Sequence, residues 1–196
     1  RLRTKVKISI DTRKSEVMRC AHEAGGDIWN DVSALSFDRR SLELAAEKKI
    51  PVMLMHAQGI PETMNDEPIY QNVALDVFDY LESRVRDCED AGIKRSQLIV
   101  DPGIGFGKHL HHNISLLSSL SIYHGHGVPV LLGVSRKKLI GQLSNDEQPK
   151  ERVSGSLAAA LSALGQGIQL LRVHDVKETV QSMKIWQAIT KGSEID

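Results

Sequence analysis

One pattern recurs six times along the chain and limits what the chain can fold into. A short apolar run ends in a polar or small residue, a segment with helical spacing follows, and a glycine or proline precedes the next run. The predicted strands are 6–10, 27–29, 51–55, 98–100, 128–133 and 169–173. The predicted helices cover about 17–24, 41–48, 72–91, 113–123, 151–164 and 177–190. Consecutive β-then-α units with strands this apolar predict a parallel α/β fold.

The strand ends distinguish two parallel folds, a doubly wound sheet and a barrel. A doubly wound sheet concentrates its site at one switch point, whereas a barrel collects residues from many strands. Nearly every predicted strand ends in a group capable of chemistry or recognition: Asp11, Asn30, His56, Asp101, Ser135, Arg136, Lys137, Arg172 and His174. This distribution favours the TIM (β/α)8 barrel. Because a full barrel has eight units and about 250 residues, we expect this chain of 196 residues to carry about six units, with two more before the first strand.

The composition limits the class of partner. The chain has 25 basic and 25 acidic residues, so nothing suggests nucleic acid or a membrane surface as its main partner. No apolar run approaches the length of a membrane span, and there is no secretory signal. Cys20 and Cys88 follow no disulfide or metal spacing, so we expect both to be reduced core residues. These observations predict a single domain over residues 1–196 and a cytoplasmic location.

The segment 97–108, QLIVDPGIGFGK, carries the densest chemistry in the chain. Asp101 directly follows an apolar strand, where an ionised carboxylate is costly unless donors reach it. Gly105 and Gly107 allow the backbone to approach a ligand closely, and Phe106 between them offers an aromatic ring. The segment therefore indicates a ligand site at the end of the fourth strand. A plain strand-to-helix turn with a solvated Asp101 is the alternative.

Six segments, in chain order and with compatible spacing, resemble the strand-end motifs of the dihydropteroate synthase family. They are ISIDT at 8–12, WNDVSAL at 29–35, PVMLMHAQG at 51–59, DPGIGFGK at 101–108, LLGVSRKKLIG at 131–141 and LLRVHDVKETV at 170–180. The family reaction joins 4-aminobenzoate to the methylene carbon of 6-hydroxymethyl-7,8-dihydropterin diphosphate. It releases pyrophosphate and forms 7,8-dihydropteroate in folate biosynthesis. The resemblance thus implies a pterin-binding transferase with these two small-molecule substrates.

The resemblance also implies features that the six segments do not carry. The family's first two strands and the loops after them, with NVTPDS-like and STRPG-like motifs, have no counterpart and would lie before Arg1. Those loops hold a metal-contacting asparagine, so the family's Mg²⁺ would take its protein ligand there and none in this chain. A homodimer and a sulfonamide target are further implications. Ala57 stands where many members have a methionine that packs on the pterin face.

Five residues of the six segments are predicted to bind the pterin ring. Asp101 can accept from the adjacent amino group and ring N–H in bidentate fashion. Asn30 can both donate and accept, and Lys137 can donate to the ring's oxygen and nitrogen acceptors. Asp11 can accept from the opposite edge and stabilise positive charge that develops on the methylene carbon. Together with Gly133, which the resemblance adds, these residues are the predicted pterin site.

A second set of residues is predicted to bind the diphosphate and the aminobenzoate. Arg172 offers a planar fork, and His174 lies on the same side of its strand, so both can meet the diphosphate. The resemblance assigns Phe106, Ser135 and Lys137 to aminobenzoate. The predicted catalytic residues are Asp11, Lys137, Arg172 and His174.

Ordinary structural roles are the alternatives for residues of the first half. Asp11 with the threonine after it could cap the next helix. Asn30 and Asp31 could be a turn pair. His56 could be a satisfied core residue at a strand end.

The second half has similar alternatives. The basic run 136–138 could be a solvated face, and Arg172 with Asp175 could form a structural salt bridge. The histidines at 109, 111 and 112 could bind a metal, although a loop before a helix is more often a solvated surface.

Three functions therefore compete. Dihydropteroate synthase is the leading interpretation. A pteridine-binding methyltransferase is similar in its barrel and in its Asp and Asn positions, but the SRK and RVHD segments argue against it. A barrel that binds pterin without catalysis is the third.

Overall fold

A computed structural model describes residues 6–59 and 68–192, which contain six parallel strands. The strands are β1 Ser9–Asp11, β2 Ile28–Asp31, β3 Val52–Met55, β4 Leu98–Asp101, β5 Leu131–Leu132 and β6 Leu170–Leu171. The α-helices are α1 Ser15–Ala24, α2 Ser41–Lys48, α3 Val73–Asp90, α4 Leu110–Ser118, α5 Lys138–Leu143, α6 Val153–Gly165 and α7 Val176–Lys191. Short 3-10 helices lie at Arg95–Gln97, Leu120–His126 and Pro149–Glu151.

The strands lie side by side in sequence order. β1, β2, β3 and β4 form one sheet, and β5 pairs with β6. A single bridge between Val100 and Val130 joins β4 to the residue before β5. The register sets Asp11 opposite Asn30 and Met55 opposite Asp101, so the polar strand ends meet at one edge. The six predicted β-then-α units are confirmed.

The core lies between this sheet and the helices. Trp29, Leu54 and Val100 from three neighbouring strands are fully buried. The inward face of α3 is fully buried as well, at Val77, Leu81 and Val85. Asn72 starts α3 at its predicted position, because its side chain accepts from the N–H groups of the first turn. Within the described residues, none of the helices is long and apolar enough to cross a membrane.

Several element bounds differ from the prediction. The first strand begins at Ser9 rather than at residue 6, and the predicted strands 128–133 and 169–173 each keep two paired residues. The predicted helix 113–123 divides into α4 and the 3-10 helix Leu120–His126. Helix α5 was not predicted, because six residues that include a glycine show no helical periodicity.

Helices α1 and α6 do not bury the apolar positions whose spacing predicts them, which are Val17, Cys20, Ala21 and Ala24 in α1 and Val153, Leu157, Leu161 and Leu164 in α6. In α1 the buried residues are Ser15 and Met18, so Cys20 is exposed and the expectation that it lies in the core is wrong. Cys88 is buried as expected. In α6 the buried residues are small, Ser156, Ala160 and Ala163, and the leucines are half-buried. Close packing favours small side chains here, because a Cβ at Gly155 would lie 2.3 Å from Ile140 Cγ2.

Candidate functional site

The ends of the first, second and last strands meet at one carboxylate. Asn30 Nδ2 donates to Asp11 Oδ2 at 3.2 Å. Arg172, just after β6, places Nη2 3.6 Å from the same oxygen. Because β1 and β6 stand at opposite ends of the described row of strands, this contact requires the row to curve towards itself, as it does in a barrel.

Asp101 lies at the end of β4 and is 6% exposed. The N–H of Gly103 donates to its Oδ1 at 2.8 Å. Gly103 has φ 68°, and a Cβ there would lie 1.9 Å from His56 O, so only glycine fits the turn. Burial raises the pKa of Asp101, and the charges of Lys137, Lys108 and Arg172 oppose that rise. These charges therefore limit the rise in the pKa of Asp101 but do not reverse it.

Lys137 follows β5, and its side chain contacts the loop after β4, residues 102–109, which we call the β4 loop. Its Nζ donates to Ile104 O and lies 4.6 Å from the centroid of the Phe106 ring. Burial lowers the pKa of Lys137 to about 8, and the charge of Asp101 opposes this shift. The carboxylate and the ring predicted from the segment 97–108 therefore lie together with the ammonium predicted from the segment 131–141.

Lys108 lies buried inside the β4 loop and binds its backbone carbonyls. It was not predicted as a site residue. It is 4% exposed. Its Nζ donates to the carbonyls of Gly103 and Phe106, each at 2.9 Å, and lies 2.9 Å from His56 Nδ1. Burial and the Lys108 charge lower the pKa of His56 to about 3, so the imidazole is neutral. The alternative for His56, a satisfied core residue, is confirmed.

Asn113 holds the same loop from the side of α4. Its Oδ1 accepts from Gly105 N–H at 2.6 Å, and its Nδ2 donates to the carbonyls of Lys108 and His109 at 3.1 and 2.9 Å. Lys108 and Asn113 thus fix the backbone that carries Asp101 and Phe106.

An open cavity of about 420 Å³ lies between the ends of β5 and β6. Its lining residues are Gly133, Ser135, Arg136, Lys137, Pro149, Lys150, Arg172 and His174. Ser135 Oγ accepts from His174 N–H at 3.2 Å and lies 3.1 Å from His174 Nδ1. Its several cationic groups suit an anion.

A second cavity, of about 340 Å³, lies on the side of the β4 loop and is lined by Phe106 and Lys137. Lys137 lines both cavities. Of the three residues assigned to aminobenzoate, Phe106 lines only this second cavity and Ser135 only the first.

The contacts decide most of the structural alternatives for the first half of the chain. Asp11 does not cap α1, because Asp38 Oδ2 accepts from Ser15 N–H at 2.9 Å. Asp31 does form a turn, since its carboxylate accepts from Ser33 N–H and Ser33 Oγ, whereas Asn30 points to Asp11.

In the second half, Asp175 pairs with Arg136, so the proposed salt bridge of Arg172 with Asp175 is wrong. Arg172 instead faces Asp11 from the next strand end in the curved row. The solvated basic face is also wrong as a whole, because only Lys138 of the run 136–138 is exposed, whereas Arg136 and Lys137 are half-buried.

The three histidines near α4 form a ring cluster. His109 stacks on His112 with centroids 5.6 Å apart, and His109 N–H donates to His112 Nδ1 at 3.2 Å. Across residues 6–59 and 68–192, no group of three or more His, Cys, Asp or Glu side chains is placed to hold a metal ion. The metal alternative for these histidines therefore has no support.

The fold and the site define a parallel α/β protein that presents a buried carboxylate beside an ammonium and an aromatic ring, next to a cationic cavity. The family described as pterin binding enzyme matches residues 1–174. The dihydropteroate synthase of Escherichia coli K12 is 48% identical over 192 residues, which are 98% of this chain and 67% of that protein. The enzyme of the same name from Neisseria meningitidis serogroup B is 45% identical over 188 residues.

Solved structures agree. Dihydropteroate synthase from Stenotrophomonas maltophilia superposes with a TM-score of 0.93 at 43% identity, covering 99% of this chain and 72% of that one. A Yersinia pestis dihydropteroate synthase with a sulfonamide drug gives 0.92 at 43% identity, covering 96% and 68%. The chain belongs to the dihydropteroate synthase family of pterin-binding enzymes, and the predicted TIM barrel fold is confirmed. It spans about two thirds of the length of the E. coli relative.

Proposed function

We propose that this chain condenses 6-hydroxymethyl-7,8-dihydropterin diphosphate with 4-aminobenzoate. The observation that carries the proposal is the convergence of Asp101 and Lys137 beside the cavity that Arg172 and His174 line. A flat donor-and-acceptor ring and a diphosphate can then bind side by side, as this reaction requires. Relatives of this name support the assignment, including a Xanthomonas albilineans enzyme solved in complex with 7,8-dihydropteroate.

In the proposed complex, four side chains hold the pterin. Asp101 accepts from the ring's amino group and adjacent N–H, and Lys137 donates to its oxygen and nitrogen acceptors. Asn30 and Asp11 bind other edge groups, joined by their own hydrogen bond. Gly133 is the fifth proposed pterin contact, and it lines the cavity together with Arg172.

The reaction breaks the bond between the methylene carbon and the diphosphate oxygen. The electron pair leaves with the diphosphate, and Arg172 and His174 stabilise the charge that accumulates there. Asp11 stabilises the positive charge that develops on the carbon. The aminobenzoate nitrogen then forms the new C–N bond and loses a proton to solvent.

Phe106, Ser135 and Lys137 are the proposed contacts for aminobenzoate. Lys137 lines both cavities, so one ammonium can lie between the two substrates. The same surface would take a sulfonamide as a competitor, as the Yersinia pestis complex suggests.

Mg²⁺ is part of the proposal through the family resemblance. No group of three or more His, Cys, Asp or Glu side chains within residues 6–59 and 68–192 is placed to hold it, so we assign no metal ligand among these residues.

We extend the proposal to three further properties, a single pterin-binding domain over residues 1–196, a cytoplasmic location and a homodimer. Free cysteines suit a reducing compartment. Ile185 and Ile189 on α7, with exposed fractions of 59% and 76%, offer an apolar face to a second copy.

The test of the proposed function is release of pyrophosphate from the pterin diphosphate. We expect release and a dihydropteroate product only when aminobenzoate is present. Pterin binding without pyrophosphate release would favour the non-catalytic barrel. Transfer of a methyl group to or from a bound pteridine, without use of the diphosphate, would favour the methyltransferase.

A further inference from the structure

Arg136 has a backbone conformation that its residue type rarely adopts. Its φ is 60°, in the left-handed region that favours glycine. Such strain persists only where the surroundings enforce it, and it concentrates at functional sites. Arg136 lies between Ser135 and Lys137, so this strained residue sets the direction in which both neighbours leave the end of β5.

Three contacts enforce the conformation. Arg136 N–H donates to Ser156 Oγ at 2.9 Å, and Arg152 Nη1 donates to Arg136 O at 3.1 Å. The guanidinium binds Asp175 in fork geometry, with Nε 2.9 Å from Oδ2 and Nη2 in contact with Oδ1. The side chains of this pair are only 26% and 12% exposed.

The fork joins two loops that carry different parts of the site. Arg136 precedes Lys137, the proposed pterin donor, and Asp175 follows His174, the proposed diphosphate ligand. Ser135 and His174 form a second link between the same loops at 3.1 and 3.2 Å. Two adjacent links fix both the distance and the angle between these loops, which one contact could not do.

We infer that Arg136 and Asp175 are positioning residues that hold Lys137 and His174 in register, so that the pterin and the diphosphate align across the bond that breaks. This inference rests on the proposed function. Arg136 lines the anion cavity, but its guanidinium is paired with Asp175, so the positioning role requires no direct contact with a substrate. A small misplacement of reacting groups costs a large part of the rate.

The test compares Asp175→Asn, Arg136→Gln and the double variant with the wild type. In each single variant we expect kcat to fall by about 10- to 100-fold. Pyrophosphate should bind several-fold more weakly, and pterin affinity in calorimetry should stay within about twofold. The double variant should be no worse than either single variant, because both substitutions break the same link.

Glu89→Gln is the matched control, since Glu89 and Arg95 form a comparable fork at 2.9 and 2.8 Å outside the site. It should leave kcat and both affinities unchanged. Additive losses in the double variant would show that Arg136 acts on a substrate directly and would overturn the inference. Equal weakening of pterin and pyrophosphate would overturn it too, as it would indicate general damage.

The binding measurements also separate this inference from the proposed function. They need no turnover, so a wild type that binds both ligands without reaction would contradict the function alone. Loss of pyrophosphate affinity without loss of pterin affinity in Asp175→Asn would still support the positioning role.

Discussion

The two sides of the site, one at the end of β4 and one at the end of β6, differ in how deeply their charged groups are buried. On the β4 side, Asp101 and Lys108 are 6% and 4% exposed, and backbone carbonyls and N–H groups make most of their contacts. On the side of β6, the side chains of Arg172 and Asp11 are 59% and 55% exposed. The contact between them is a 3.6 Å distance from Arg172 Nη2 to Asp11 Oδ2. The β4 side thus rests on buried contacts, whereas the Arg172 and Asp11 side chains on the β6 side are largely exposed to solvent.

This difference has a physical consequence for the two ligands. A buried group acts in a low dielectric and cannot be removed without disturbing the fold. Exposed charges act through water, are screened by salt and contribute little to stability. Recognition of the pterin should therefore be tied to the stability of the protein, and recognition of the diphosphate should be tied to ionic strength.

The largest effect is expected from Lys108→Met. This change removes the Nζ donor from the carbonyls of Gly103 and Phe106, and among the described residues Gly103 O keeps only the N–H of Phe106. We expect the free energy of unfolding to fall by about 3 kcal/mol in urea titration. Lys94→Met, at an exposed position, is the control and should stay within about 0.5 kcal/mol of the wild type. Similar stability of the two variants would contradict the view that the β4 loop depends on Lys108.

Asp101→Asn should be the next largest effect, now on binding. The variant loses a charge-assisted bidentate acceptor, so a 6-substituted pterin should bind more weakly by at least about 1.5 kcal/mol in calorimetry. Stabilisation by pyrophosphate should persist, because Asp101 does not line the anion cavity. An unchanged pterin affinity would remove Asp101 from the site.

The pH dependence of pterin binding should report Lys137. Its pKa is lowered to about 8 by burial, so the ammonium is present below that pH and is lost above it. Pterin affinity should then fall above pH 8, by up to about tenfold per pH unit. Lys137→Arg keeps its charge throughout this range and should show a weaker dependence. Since the ligand's own titration is common to both proteins, parallel curves would show that Lys137 is not the donor.

The smallest effect distinguishes the two sides by salt. Raising the ionic strength from about 0.01 to about 0.15 M shortens the screening length from about 30 to about 8 Å. Pyrophosphate should bind several-fold more weakly at the higher salt, while pterin affinity should change little. Equal salt dependence of the two ligands would contradict the contrast between the sides.

Much of this site could be predicted because its signals are local. Asp101, Lys137, Arg172 and His174 each follow a short apolar run, and in a parallel fold the carboxyl ends of such runs share one edge. The glycines after Asp101 likewise predict a turn, and the φ of 68° at Gly103 confirms it.

The parts that were missed depend on contacts between distant residues. Lys108 and His56 are 52 positions apart, and Arg136 and Asp175 are 39 apart, so no spacing in the sequence relates them. Cys20 was misplaced for a similar reason, because the neighbouring elements, and not the periodicity of α1 alone, decide which face is buried. The predicted salt bridge of Arg172 with Asp175 was wrong because the prediction relied on proximity in sequence. The curvature of the row of strands, which brings Arg172 close to Asp11, cannot be seen from sequence proximity.

The most direct test of one site with two separately built sides is a matched set of titrations. A 6-substituted pterin and pyrophosphate are each titrated into the wild type, Asp101→Asn and Arg172→Ala, with thermal melting beside calorimetry. Asp101→Asn should lose pterin affinity and keep the rise in Tm with pyrophosphate, and Arg172→Ala should do the reverse. Loss of both ligands in both variants, or an equal pyrophosphate shift in the wild type and Arg172→Ala, would contradict this account.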